Sequence, residues 1–167
     1  EELLRHAVER LLADALGGPV DRLSVGALWE ATRGNALFLH ELVRYGIERG
    51  ALSQVGGIWR WRGVLTVGMS LPQLVDARLE ELGAREQRVL ELVAVAAPLD
   101  AGVLEPAERS LVDTLELQGI VERRSAGRRR SVDVAHPLYG EVLCRRLGGL
   151  RLEAIRHRLA QAVEARG

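Results

Sequence analysis

The spacing of apolar residues limits the fold of this sequence more than any other feature. Over most of the chain they recur three and four positions apart, as from Leu3 to Leu16, which is the period of an amphipathic α-helix. The period changes only in two regions, 51–61 and 120–135, where glycine or short polar turns separate β-like runs. The chain is therefore expected to be mainly α-helical, with two small β-hairpins.

Caps, prolines and glycines predict where the elements begin and end. Ser24 is expected to cap the second helix, Gly34-Asn35 to interrupt the chain before the third, and Gly56-Gly57 to form a two-residue hairpin turn. The predicted helices are 2–16, 24–31, 36–49, 71–82, 84–96, 101–104, 107–118, 138–147 and 150–165. The predicted strands are 51–55, 58–61, 120–124 and 130–135.

The order of these elements predicts two subdomains and two accessory segments. Residues 1–50 form a helical subdomain, and 51–70 form a connecting hairpin that contains two tryptophans. In residues 71–147 a helix, a short helix, a helix and a hairpin follow one another, which is the order of a winged helix-turn-helix. Residues 148–167 form a C-terminal helix that is expected to lead into a further helical region.

Composition excludes several chemistries. All 23 basic residues are arginine, so neither a G-x-x-x-x-G-K-[ST] phosphate loop nor a lysine nucleophile can occur. His40-Glu41 lacks the second histidine of a zinc-protease motif, because position 44 is Arg44. No G-x-S-x-G nucleophile elbow occurs. We therefore expect no catalytic residues, no metal site and no enzyme activity of the chain by itself.

The single cysteine and the longest uncharged stretch predict a cytoplasmic protein without membrane contact. Cys144 cannot form an internal disulfide and is expected to be buried as a small apolar side chain. The stretch 63–75 has 13 uncharged residues, fewer than the roughly 20 that a transmembrane helix needs.

Charge argues against DNA binding by the winged helix. Residues 76–118, which include the would-be recognition helix, carry ten acidic residues and four arginines. Such a helix is repelled by phosphates in a major groove. The wing is basic and could contact a nucleic-acid backbone or a partner; alternatively it is a solvated hairpin or pairs with acidic surface elsewhere. Its arginines are Arg123, Arg124, Arg128, Arg129 and Arg130.

Three further positions allow two interpretations each. Gly34-Asn35 is either a helix stop with an asparagine cap or a backbone corner placed against a ligand. His136, at the start of a helix, is either structural or donates a hydrogen bond to an anion. Trp59 and Trp61 share one strand face and are expected to cover the edge of the core instead of stacking on bases.

Four motifs in order carry a family resemblance. They are LWEATRGNALFLHELVRYGIERGAL (28–52), GGIWRW (56–61), LPQLVDARLEELGAREQRVLELVAVAA (71–97) and VAHPLYGEVLCRRL (134–147). Over about residues 1–165 the chain resembles the region after the catalytic core in large ATP-binding transcriptional regulators of the LuxR type. These regulators are related to the maltose regulator and to other signal-transduction ATPases.

The resemblance implies a helical lid followed by a winged helix. It places Gly34, Asn35 and Ala36 at a lid motif near the adenine nucleotide, where the family's typical motif is Gly-Asn-Pro. It places His136 at the β-phosphate of ADP, followed by Pro137 where relatives often carry aspartate. The chain would close over nucleotide and relay its state without binding a cofactor itself.

The resemblance also implies the partners of the chain. ATP or ADP with magnesium would be held by an ATPase core elsewhere in the same protein, which also has a helical domain, and DNA by a further C-terminal domain. The alternative hypothesis is a stand-alone winged-helix DNA-binding protein that uses its arginine wing.

Overall fold

The computed structural model describes residues 2–63, 70–126 and 129–165. Within them the chain is mainly α-helical with two small antiparallel sheets, which confirms the predicted fold class. The chain divides into two compact units, Glu1–Leu74 and Val75–Gly167, and the division falls inside the helix Leu71–Glu81. None of the helices in the described residues combines the length and apolarity that crossing a bilayer requires.

The described part of the first unit has three complete helices and one hairpin. They are α1 (Arg5–Leu16), α2 (Arg22–Thr32), α3 (Ala36–Glu48), β1 (Leu52–Val55) and β2 (Ile58–Trp61). The strands pair with Val55 opposite Ile58, so that Gly56-Gly57 forms the predicted turn. Residues 64–69 of the predicted connector lie outside the described residues.

The core of the first unit lies among α1, α2 and α3, and the tryptophans cover its edge as predicted. Buried leucines and valines form the cluster, with Trp59 and Trp61 packed against it. The indole N–H of Trp59 donates to the carbonyl of Leu16 at 3.0 Å. The ring of Trp61 fills the space beside Gly46, where a Cβ atom would lie 2.7 Å from Cη2. Both rings are therefore part of the packing.

The start of α2 differs from the prediction. Asp21, not Ser24, is the N-cap, and its carboxylate accepts hydrogen bonds from the backbone N–H groups of Leu23 and Ser24. Ser24 lies inside the helix, where its hydroxyl donates to Asp21 and accepts from the backbone N–H of Trp61 at 2.7 Å. Both residue types are good N-caps, and Ser24 is instead the third residue of the helix, where it contacts both the cap and the hairpin.

The second unit has the topology of a winged helix-turn-helix. The remaining helices are α4 (Leu71–Glu81), α5 (Ala84–Ala96), α6 (Pro106–Leu117), α7 (Pro137–Arg146) and α8 (Gly149–Glu164), with a 3-10 helix at Ala101–Val103. The strands are β3 (Leu99–Asp100), β4 (Val121–Ala126) and β5 (Arg129–Val134), in the order β3-β5-β4. The sequence did not predict β3, because two residues after a proline are too few to show a period.

Cys144 is exposed, so the prediction that it is buried is wrong. The buried face of α7 carries Tyr139, Val142 and Leu143, which follow one another at helical spacing. Position 144 falls outside that stripe.

Candidate functional site

The corner between α2 and α3 is a backbone turn closed from the other end of the unit. Arg33 and Gly34 adopt left-handed conformations, with φ of 50° and 75°. The carbonyl of Gly34 accepts a hydrogen bond from the N–H of Leu3 at 2.8 Å. A Cβ atom at Gly34 would lie 2.7 Å from that nitrogen, closer than real Cβ atoms come. Leu3 is therefore held against the corner, and α1 begins at Arg5, later than the predicted residue 2.

Asn35 is the N-cap of α3. Its side-chain oxygen accepts a hydrogen bond from the N–H of Phe38 at 2.9 Å, and Ala36 is the first residue of the helix. Asn35 and Ala36 are exposed, whereas Gly34 is buried. Within the described residues, the carboxamide NH2 group of Asn35 has no hydrogen-bond acceptor. Asn35 thus caps a helix and still presents a donor to the surface.

His136 plays the same structural part in the second unit. It is the exposed N-cap of α7, and its Nδ1 atom accepts a hydrogen bond from the N–H of Leu138 at 3.2 Å. Pro137 follows at the first helical position, where no N–H is needed. Because Nδ1 is an acceptor, the proton of the neutral ring is assigned to Nε2. The outward nitrogen is then a hydrogen-bond donor.

The four residues predicted to contact nucleotide are divided between the two units. Gly34, Asn35 and Ala36 form one corner in the first unit, and His136 starts α7 in the second. Both positions are exposed helix N-termini. Nucleotide contact at either position stays a prediction.

Two arginines of the wing are engaged by acidic residues of their own unit. Arg123 pairs with Asp113 and, at 3.3 Å, with Glu116, both on the recognition helix α6. Arg124 donates to Glu122 at 2.7 Å, and this hydrogen bond raises the pKa of Arg124. These two arginines therefore pair inside their own unit, whereas the sequence analysis expected a solvated hairpin or pairing with acidic surface elsewhere in the protein.

The other three wing arginines differ in what the structure describes. Arg128 lies outside the described residues, and for Arg129 only the backbone is described, as the first residue of β5. Arg130 is exposed and has no acidic partner among the described residues. Among the wing arginines whose side chains the structure describes, Arg130 is the one without an ion pair.

The first turn of α6 is also neutralised. Glu108 receives two hydrogen bonds of 2.7 Å from Arg158 of α8. Together with the pairs of Asp113 and Glu116, this engages three of the acidic residues that the sequence placed on the recognition helix. α6 therefore presents ion pairs where a DNA-reading helix presents free cations.

A buried arginine that the sequence analysis missed anchors α7. Arg78 of α4 is 5% exposed, donates to the hydroxyl of Tyr139 at 2.9 Å and also to the carbonyl of Gln118. The signal was present, because Arg78 lies in the apolar stripe of Val75, Leu79 and Leu82. This contact links α4 to the helix that begins at His136.

Within the described residues, no group of three histidine, cysteine or carboxylate side chains is arranged to hold a metal ion. In comparisons with known proteins, no family model matches the chain, and no curated protein matches it significantly.

Proposed function

We propose that this chain is the regulatory and interaction segment of an ATP-dependent transcriptional regulator of the LuxR type. In the intact protein it closes over an adenine nucleotide bound by an ATPase core and relays the nucleotide state to a DNA-binding domain. The phosphate-binding loop and the magnesium ligands belong, in this proposal, to that core. In this proposal the chain itself contributes no catalytic residue.

One observation carries the proposal: Asn35 and His136 both cap a helix and both keep a polar group directed outward. The carboxamide NH2 of Asn35 and the Nε2–H of His136 are donors. Each stands at a helix N-terminus, whose backbone N–H groups and positive dipole end favour an anion. Donors of this kind fit the phosphate oxygens and ring nitrogens of ADP.

The alternative, a stand-alone DNA-binding protein, has less support. Its recognition helix is acidic, and Arg123 and Arg124 are already paired. A gel-shift titration of the chain over a salt series separates the two hypotheses. Tight binding with a steep salt slope would favour the alternative, since phosphate contacts release counterions.

The reading frame that encodes the chain gives the first test. Our proposal expects a G-x-x-x-x-G-K-[ST] motif upstream in the same frame. A frame without that motif would overturn it.

Calorimetry of ADP binding to the intact protein gives the second test. Asn35→Asp keeps the capping oxygen and replaces the outward donor with an anionic oxygen. We expect ADP to bind about tenfold more weakly or worse, from the loss of one hydrogen bond to a charged group. Asp21→Asn makes the reverse exchange at the cap of α2 and is expected to leave ADP affinity unchanged. Equal affinity for both variants would contradict the proposed contact.

A further inference from the structure

A small cleft lies between the recognition helix and the wing of the second unit. Its volume is about 150 Å³. Its lining includes Ala101 and three buried aliphatic residues, Leu104, Val112 and Val132, which together we call its floor. A cavity of this size accommodates one compact apolar group, such as a branched alkyl chain or a phenyl ring.

The rim of the cleft is cationic. Arg109, Arg123, Arg124 and Arg130 all line it, with Asp113 as the one acidic residue among the lining side chains. Arg123 and Arg124 are engaged in the ion pairs described above. The Nε–H of Arg109 donates a hydrogen bond to the carbonyl of Leu104 at 3.1 Å. Neither Arg109 nor Arg130 has an acidic partner among the described residues. Two guanidinium groups therefore keep donors available beside an apolar floor.

We propose that this cleft binds a small monocarboxylate with a short apolar tail. The tail lies against the aliphatic floor and the arginine stems, and the carboxylate receives hydrogen bonds from Arg130 and Arg109. Guanidinium groups match a carboxylate in geometry and remain charged at all physiological pH values. This inference is independent of the proposed nucleotide contacts, because it uses none of the same residues.

The apolar floor selects a carboxylate over a bare phosphate or a nucleic acid. Inorganic phosphate would contact the arginines but leave the floor uncovered, because it has no apolar tail. A nucleic-acid backbone needs several free cations in a row, whereas two of the lining arginines are paired here. A tailed carboxylate uses both the floor and the rim.

Proton–nitrogen NMR of the ¹⁵N-labelled chain tests the proposal with acetate, butanoate and hexanoate. We expect saturable shifts at the amides of Ala101, Ser131 and Val132. Affinity should increase about fourfold for each CH2 group that the cleft buries. Hexanol, which lacks the charge, should bind about tenfold more weakly than hexanoate or worse.

Three variants make the site assignment sharp. Arg130→Gln should weaken hexanoate by about tenfold, while Arg156→Gln, at an exposed arginine of α8, should leave it unchanged. Ala101→Leu fills the cleft without changing charge and should remove the dependence on tail length. A melting curve of each variant confirms that it is folded.

Three results would overturn the proposal. One is a linear, unsaturable response to hexanoate. Another is equal affinity for acetate, phosphate and hexanoate. The third is tighter binding of a single-stranded oligonucleotide that competes at the same amides.

Discussion

The Nδ1 atom of His136 accepts a hydrogen bond from the backbone N–H of Leu138, two residues further along the chain. The imidazole therefore accepts a hydrogen bond from an otherwise unpaired N–H at the start of α7, as a serine or asparagine cap does in other helices. Its second nitrogen remains available. A structural role and a ligand role can thus be assigned to different atoms of one ring.

Substitution of His136 separates these two roles. His136→Ala removes the cap and should lower the free energy of unfolding by about 1 kcal/mol, whereas His136→Asp restores a capping oxygen and should lower it little. In the intact protein both variants lose the Nε2 donor, and the proposed nucleotide contact then predicts that ADP retention weakens by about tenfold to a hundredfold and that basal activity rises.

Urea denaturation of the chain and ADP calorimetry of the intact protein measure the two effects. Full ADP affinity in His136→Asp, which has a capping oxygen and no donor, would show that the ring only caps the helix.

We expect the free energy of unfolding to fall in acid because of Asp21. The hydrogen bond from the Ser24 hydroxyl lowers the pKa of Asp21 below its ordinary value of 3.8, helped by backbone N–H groups and the charge of Arg60 and opposed by burial. A lowered pKa contributes stability above the ordinary value, and this stability is lost as the pH falls through the folded-state pKa.

Two substitutions of Asp21 test this step. Asp21→Asn keeps a cap but cannot titrate, so its free energy of unfolding should fall less steeply below about pH 5 than that of the wild type. Asp21→Ala should cost about 1 kcal/mol at neutral pH. Parallel pH profiles for wild type and Asp21→Asn, from urea titrations followed by circular dichroism, would contradict the assignment.

We expect one added methyl group at Gly34 to lower the stability of the first unit strongly. In Gly34→Ala the added Cβ meets the backbone of Leu3 at a left-handed φ, so we expect a loss of about 3 kcal/mol or more from strain and overpacking together. Gly17→Ala is the matched control, because φ is 65° there and nothing lies within 4 Å of the new Cβ. It should cost only about 1 kcal/mol. An equal loss of stability for the two variants in thermal unfolding would show that the backbone of Leu3 moves aside without strain.

We expect the contributions of Arg78 and Tyr139 to the stability of the second unit to be coupled. Arg78→Met keeps most of the apolar stem and removes the guanidinium, which should lower the free energy of unfolding by about 3 kcal/mol. Tyr139→Phe should lower it by about 1–2 kcal/mol. The double variant should lose less than the sum, because the first substitution already breaks the shared bond. Urea midpoints of the four proteins give the coupling energy, and additivity within about 0.5 kcal/mol would argue against it.

The sequence predicted the elements well because most of its information is local. Gly56-Gly57 set the first hairpin, Gly119 and the apolar period set the end of α6, and the helix 84–96 has the predicted bounds. Asp21 and Ser24 are both good N-cap residues in the local sequence, and the contact of Ser24 with Trp61, 37 residues later, could not be predicted from it. The same applies to β3, whose partner Val132 is remote in sequence.

For the candidate residues, the local sequence predicted helix starts but not how these residues pack. A glycine-asparagine pair between helices and a histidine before a proline are visible in the sequence. That Leu3 braces Gly34, and that Arg123 reaches Asp113 and Glu116, depend on how elements pack. The cleft of the second unit was not predicted either, because its floor and rim come from β4, β5, α6 and the residues before α6.

The chain has three tryptophans, and Trp29, Trp59 and Trp61 all belong to the first unit. Indole fluorescence is therefore an optical probe of that unit alone, while helical ellipticity reports on both. A difference between the two unfolding midpoints would measure how independently the winged helix melts, without any label. The rings that close one core thus also provide a built-in spectroscopic distinction between the units.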